Sequence, residues 1–334
     1  MASVSYNLNA PDLAKTLAQM KSPAEMVNVI ANLAANNLWP TSGTISVLAA
    51  DSTSNYTLGA SGELFLFVGQ QGATATVNDN AGGNILADPG NIIAMNTTAT
   101  ADTVIGGDGA DSMISGQGSN YLVGGNGMNT LVGGAGADTM WGGGTTDMQA
   151  GTGGNIIHAG VQAGNHDTVY GGSGADILGA FAGNNTFYAG SGLNTIWGGS
   201  GNDTIWGGGQ SNIHAGSGDV TIHAGQTNTA SDTIAAGGGN DLIGLVAGNN
   251  IVSAGAGNDT VYAGSGKDTI YGGSVGNLTV VGGGQTVVNS NNSLNDITSQ
   301  TVSGGITTIT FQDGQTLVSS NATVNLHNGG TIHT

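Results

Sequence analysis

The chain has 334 residues, 63 of them glycine, with no cysteine, no arginine and three lysines (Lys15, Lys21, Lys267), and its formal charge of −18 is made almost wholly of aspartate. With no basic surface to neutralise phosphate, nucleic acid is excluded as a partner, and anionic membrane surfaces are disfavoured for the same reason. No apolar stretch approaches the ~20 residues that span a bilayer, so no membrane span is expected, and the N-terminus MASVSYNLNAPDLAK lacks the basic region and apolar core of a cleaved secretory signal.

In chain order, residues 1–40 read as a helical cap or docking segment. Ser22-Pro23-Ala24-Glu25 has capping-box spacing with proline at the first helical position, and Met26, Val27, Val29, Ile30, Leu33 and Ala34 follow at helical spacing. One helix is predicted from about Pro23 to Asn36 and a shorter one over Pro11 to Met20, with Leu13, Leu17 and Met20 on one face. Such a segment either covers the exposed end of the coil that follows or docks on a neighbouring subunit or the cell envelope. Residues 41–105 read as a degenerate start of that coil. Thr44 to Val47 alternates, Leu64-Phe65-Leu66-Phe67-Val68 is a strand-like run, and Gly90 to Ala94 (GNIIA) echoes the segment around Asn155 to Ala159.

Residues 106–290 repeat a nine-residue phrase, Gly-Gly-x-Gly-x-Asp/Asn-x-hydrophobic-x. It reads cleanly at Gly106 to Ile114, Gly133 to Trp141, Gly198 to Trp206, Ala254 to Tyr262 and Ala263 to Tyr271. Glycines at the first, second and fourth places permit a tight turn that exposes carbonyl oxygens, and the carboxylate at the sixth place adds charge. Hard oxygen donors of this kind are what calcium prefers. The last three residues form a minimal strand whose middle member points inward: Met113, Leu122, Leu131, Met140, Leu178, Phe187, Ile196, Ile205, Ile243, Val261 and Ile270. Two phrases close one turn of about 18 residues, and turns stack at a strand spacing of ~4.8 Å. The expected fold is all-β: a parallel β-roll or β-solenoid with a small N-terminal helical segment and a C-terminal β cap.

A longer period overlies the short one, restarting at Gly106, Gly171 and Ala236, 65 residues apart. Asp138 recurs as Asp203 and Asp268, Trp141 as Trp206 and Tyr271, His158 as His223, and Asp102, Asp167 and Asp232 open similar strands. Each block holds an odd number of half-turns, so successive blocks present equivalent residues on opposite faces. Residues 291–334 form a polar break (NSNNSLND) and then alternating strands around Val302 to Thr310 and Thr316 to Leu326.

The repeat resembles the RTX, or hemolysin-type calcium-binding, family of β-rolls. In that family the sixth-place Asp and the turn carbonyls of successive turns hold calcium between them. The resemblance pairs Asp111 with Asn129, Asn120 with Asp138, Asp176 with Asn194, Asn185 with Asp203, Asp241 with Asp259, and Asn250 with Asp268 as metal ligands. Most pairs hold one Asp and one Asn, which weakens affinity because it falls with ligand charge count; the Asp241 and Asp259 pair is expected to be the tightest. The alternative at mixed pairs is an Asn ladder hydrogen-bonded without metal. The resemblance further implies a protein of the extracellular space or cell surface of a Gram-negative bacterium, exported by type I secretion on an uncleaved C-terminal signal. The segment ITFQDGQTLV is similar to the strands that close such coils.

Catalytic signatures are sparse. There is no His-Glu-x-x-His site, and Gly272 to Gly276 matches G-x-S-x-G by letters but lies inside the repeat without a strand-to-helix elbow. The six histidines (His158, His166, His214, His223, His327, His333) read as isolated, solvated side chains. The outward rings Trp141, Tyr170, Tyr188, Trp197, Trp206, Tyr262 and Tyr271 are candidates for subunit contacts or for stacking on a cell-surface glycan, with Tyr188 over Trp206 and Tyr262 two half-turns from Gly244. The leading reading is a non-catalytic, calcium-binding structural protein that folds on calcium and self-assembles into a surface fibre, lattice or biofilm matrix. The alternatives are an adhesin or ice-binding module, suggested by threonines such as Thr139, Thr204 and Thr269 after the motif Asp, and an accessory coil of a secreted enzyme.

Overall fold

The computed structural model describes the strands Val4–Leu8, Ile45–Ala50, Ser54–Leu58, Leu64–Phe67, Thr74–Asp79, Asn84–Ala87 and Ile92–Met95, and every residue from Ala101 onward except Val161, 228–230, Ser274, Ser293 and Asn328. The helices expected over Pro11 to Met20 and Pro23 to Asn36 lie outside the described residues. The chain forms two compact units, Met1–Ala159 and Gly160–Thr334.

In the first unit two parallel ladders run side by side. One stacks Ile45–Ala50, Leu64–Phe67, Asn84–Ala87, Thr103–Asp108, Tyr121–Asn126 and Thr139–Trp141. The other stacks Ser54–Leu58, Thr74–Asp79, Ile92–Met95, Ser112–Ile114, Met128–Val132 and Thr145–Gln149. Consecutive strands alternate between ladders, so the chain winds as a coil. Val4–Leu8 pairs antiparallel with Ile45–Ala50 and covers the N-terminal edge of its ladder.

The second unit repeats the plan. Thr168–Tyr170, Thr186–Tyr188, Thr204–Trp206, Thr221–Ala224, Leu242–Leu245 and Asp259–Tyr262 belong to one parallel ladder; Ile177–Ala180, Leu193–Trp197, Gln210–His214, Thr233–Ala235, Ile251–Ser253 and Thr269–Tyr271 belong to the other. Leu278–Asn289 closes both ladders. Thr316–Asn325 lies parallel on it, and Ile297–Ser303, Ile306–Phe311 and Thr331–His333 join by antiparallel pairing. A parallel coil thus ends in an antiparallel meander.

In each unit the core is formed by the inward side chains of its two ladders. All eleven residues expected to point inward, from Met113 through Phe187 to Ile270, are at most 1 % exposed. Burying one such side chain contributes roughly 1.5–3 kcal/mol. With one per half-turn, the glycine-rich turns contribute almost no apolar burial, and their ordering cost must be met by the ladders and whatever the turns bind. Fourth-place Gly136 illustrates the turn's demand: its φ is +119°, and a Cβ there would lie 2.1 Å from the carbonyl oxygen of Gly118 one turn earlier.

Two departures from the nine-residue phrase have their own fastening. The eight-residue half-turns replace the sixth-place acid by a hydroxyl tied to its own turn: Thr146 Oγ1 donates to Gly144 O at 3.2 Å and Ser211 Oγ to Gly207 O at 2.9 Å. The long connections are closed by a carboxylate, since Asp167 accepts from the Gly160 N–H and Asp232 from the Gly225 N–H, each across seven residues.

Candidate metal centre

The sixth-place side chains turn inward at the corners of the coil. All twelve expected ligands are at most 3 % exposed. In every expected pair the side-chain oxygen of the later residue accepts the backbone N–H of the earlier one, 18 residues before. Asp111 donates to Asn129 Oδ1 at 3.0 Å and Asn120 to Asp138 Oδ1 at 2.7 Å in the first unit. In the second unit the same bond joins Asp176 to Asn194 (3.0 Å), Asn185 to Asp203 (2.7 Å), Asp241 to Asp259 (3.0 Å) and Asn250 to Asp268 (3.0 Å).

Asp and Asn share this bond and differ in the other terminal atom. At four of the five Asn the Nδ2 donates to a carbonyl of its own turn: Asn120 to Gly118 O, Asn129 to Gly125 O, Asn185 to Ala182 O and Asn250 to Ala247 O, at 3.1–3.2 Å, whereas Asn194 Nδ2 is buried without an acceptor. At Asp138, Asp203, Asp241 and Asp268 the matching atom is a carboxylate oxygen, Oδ2, buried with no hydrogen-bond donor. At Asp138 and Asp203 the first-place glycine leaves room beside it, whereas Ala236 and Ala263 hold that place before Asp241 and Asp268. A Cβ on Gly133 would lie 2.5 Å from Asp138 Oδ2 and 2.7 Å from Ala150 O; on Gly198 it would lie 2.8 Å from Asp203 Oδ2 and 2.3 Å from Ala215 O. These two corners therefore gather an acidic oxygen and a carbonyl from the next turn around a bare Cα. Buried, donorless carboxylate oxygens are expensive, and a hard cation taking oxygen ligands satisfies them. The donor set fits calcium. Among the described residues no three acidic or imidazole side chains converge, so an ion at these corners depends on backbone carbonyls.

The charge is correspondingly strained. Burial raises the Asp138 and Asp241 carboxyls to about 6 and Asp203 to about 7, partly offset by hydrogen bonds from Asn120, Val220 and Asn185 respectively. At Asp241 the negative charges of Asp259 and Asp219 raise it further. Burial also raises Asp259 and Asp268.

Comparison with protein families finds the hemolysin-type RTX calcium-binding nonapeptide repeat (4 copies) at residues 95–122, 123–155, 179–213, 212–243 and 246–277. The coil belongs to the RTX calcium-binding repeat family. Its repeats bind calcium and form a calcium-binding structural domain of a kind characteristic of secreted Gram-negative proteins. A comparison with curated proteins finds no match. No helix among the described residues is long and apolar enough to cross a membrane.

The RTX ladder extends past the twelve residues read from the sequence. Asp102 N–H donates to Asn120 Oδ1, Asp138 N–H to Asn155 Oδ1 and Asp232 N–H to Asn250 Oδ1. A second, exposed ladder runs along the fifth place, where Asn202 donates to Asn184, Asp219 to Asn202, Asn240 to Asp219 and Asn258 to Asn240 at 2.7–2.9 Å. Its signal was available in the recurring Gly-Asn-Asp and Gly-Asn-Asn triplets. Three histidines are also not the isolated side chains expected: His158 stacks on Trp141 at 3.9 Å, His214 on Trp197 at 4.1 Å and His223 on Trp206 at 3.9 Å. Tyr188 lies over Trp206 as expected, at 6.2 Å, and Tyr170 extends that column.

Proposed function

We propose that this is a non-catalytic extracellular structural protein whose RTX coil folds on calcium and then self-assembles into a fibre, lattice or biofilm matrix at a bacterial surface. The observation that carries the reading is the set of buried, donorless carboxylate oxygens of Asp138, Asp203, Asp241 and Asp268, the first two beside a first-place glycine. In this reading each of the pairs Asp111/Asn129, Asn120/Asp138, Asp176/Asn194, Asn185/Asp203, Asp241/Asp259 and Asn250/Asp268 contributes side-chain oxygens to calcium with turn carbonyls. The ion neutralises corner charge and ties one turn to the next. An Asn member must turn its neutral oxygen to the corner, and Asn120, Asn129, Asn185 and Asn250 must also release an Nδ2 bond, so mixed pairs bind more weakly than Asp241/Asp259.

Delayed folding follows from the same chemistry. Without cations, buried carboxylates and glycine entropy oppose coiling, which suits a chain exported unfolded through a type I channel into a calcium-rich exterior. Self-assembly is supported by the opposite-facing placement of equivalent residues. Phe181 and Val246, 65 residues apart, are 64 % and 58 % exposed and follow strands in opposite ladders. Negative-stain microscopy of the purified chain before and after about 10 mM calcium, roughly tenfold above the weakest extracellular sites, tests the reading. Ordered filaments or sheets that dissolve on chelation are expected; persistent monomers that fold with calcium contradict assembly.

A further inference from the structure

Gly244 is a glycine the coil does not require. Its φ is not positive, and a Cβ added to it would meet nothing closer than His223 Nδ1 and Ile222 O, both at 3.8 Å. It sits at the ninth place of its half-turn, where the other strands of its ladder carry outward rings. The register sets Trp206 beside His223, His223 beside Gly244, and Gly244 beside Tyr262. The column Tyr170, Tyr188, Trp206, His223 is stacked at 3.9–6.2 Å with interplanar angles of at most 19°. At Gly244 one rung of the stack is missing.

The dimensions of the gap follow from the ladder. Rungs repeat at ~4.8 Å, so the rings on either side of a missing rung are separated by ~9.6 Å, which admits one planar ring with a stacking contact on each face. Tyr262, on the far side, is 51 % exposed, against 37 % for Tyr188 and Trp206 inside the stack. Along the Gly244 strand the neighbouring outward side chains are apolar and exposed: Leu242 at 43 %, then Val246 at 58 %. The slot thus has ring faces for walls and aliphatic ends. The pattern recurs one block earlier, where Gly179 lies beside Trp197 and between exposed Ile177 and Phe181.

We propose that the slot between His223 and Tyr262 at Gly244 binds a planar aromatic ring, neutral or cationic, which completes the stack; the −18 charge of the chain disfavours an anionic one. Two stacking contacts and limited apolar burial place binding in about the millimolar range. The ring can come from a free aromatic compound or from the exposed Phe181 of a second copy.

The test uses the full calcium-loaded chain and N-methylquinolinium as probe, followed by NMR. The expected result is a saturable upfield shift of the probe's ring protons. It should be absent for the non-planar cation cyclohexyltrimethylammonium and weaker for naphthalene-2-sulfonate. Gly244→Trp supplies the missing rung from within and, combined with Gly179→Trp, should abolish the shift while leaving the calcium-dependent circular dichroism intact. Should that variant fail to fold, Tyr262→Ser removes one wall and should weaken binding several-fold. Sedimentation separates the sources. If a second copy supplies the ring, the wild type associates, and Phe181→Ser, Gly244→Trp and added probe each dissociate it; if a free compound does, sedimentation is indifferent to all three while the shift persists. A probe shift unchanged in the double tryptophan variant, or no saturable shift in a wild type whose sedimentation Gly244→Trp leaves alone, overturns the proposal.

Discussion

Replacing Asp203 by asparagine should stabilise the coil without calcium and leave its stability in calcium nearly unchanged. Asp203 is 1 % exposed; its Oδ1 accepts the Asn185 N–H and its Oδ2 has no donor. Burial moves its carboxyl from 3.8 to about 7. At ~1.36 kcal/mol per pH unit this is a penalty of ~4 kcal/mol on the ionised, cation-free coil, and screening by water at the turn rim leaves ~2 kcal/mol. An asparagine keeps the Oδ1 bond, and its Nδ2 faces the oxygen-lined corner where Asn185 and Asn250 already donate to turn carbonyls. In chelator at pH 8 the Asp203→Asn chain should therefore be more stable than wild type by ~2 kcal/mol. In 10 mM calcium, a site of ~10⁻⁴ M affinity contributes ~2.7 kcal/mol, and a tenfold loss removes about half of it. Set against the ~2 kcal/mol gained without the ion, this leaves the variant within ~0.7 kcal/mol of wild type in calcium. Far-UV circular dichroism in chelator, where the variant should hold more strand than the wild type, and thermal melts in calcium read the two outcomes. A variant destabilised equally in both would refute the idea that this carboxylate is strained without an ion.

Other expectations follow from the same corners. Because the folded-state values of Asp138, Asp203 and Asp241 are raised, the cation-free coil loses stability as pH climbs from ~4, where unfolded aspartates ionise, through about 7. Protons and calcium then compete for the same oxygens, so a calcium titration at pH 5.5 should need roughly tenfold more metal than at pH 8; equal midpoints would contradict this. Ile205→Ala, at a fully buried position, should cost ~2–5 kcal/mol and raise the calcium midpoint for folding. Gly136→Ala, with φ +119° and a Cβ 2.1 Å from Gly118 O, should cost ~3 kcal/mol or more, whereas Gly244→Ala should stay within ~0.5 kcal/mol. Trp206→Ala removes stacking partners of Tyr188 and His223 and should cost ~1–3 kcal/mol by denaturant melts in calcium.

The inward file and the corner ladder were legible in the sequence because a nine-residue period leaves little freedom: once one hydrophobic residue points in, every ninth one must. The stacking of Asp241 on Asp259 followed from counting alone. Counting failed where the period changes. The half-turns at Gly142 and Gly207 have eight residues, so Trp141 meets His158, Trp197 meets His214 and Trp206 meets His223 at a spacing of 17, not 18, and the three histidines passed for isolated. Nor do letters reveal that the Nδ2 of Asn120, Asn129, Asn185 and Asn250 is tied to a turn carbonyl while the Oδ2 of Asp138 or Asp203 is left bare; that distinction depends on which way a terminal atom points. The antiparallel closure beyond Asn289 was readable as strands, but direction of pairing is set by loop lengths at 304–305 and 312–315 rather than by strand composition.

Far-UV circular dichroism during a calcium titration of the chelator-treated chain at pH 8 tests the central claim most directly. The cation-free chain should lack strand signal and gain it cooperatively between roughly 10⁻⁴ and 10⁻³ M calcium, with magnesium, which demands tighter octahedral geometry, far less effective. A chain that shows the full strand signal in chelator and does not respond to calcium would contradict the claim that cations at the glycine corners hold the coil together.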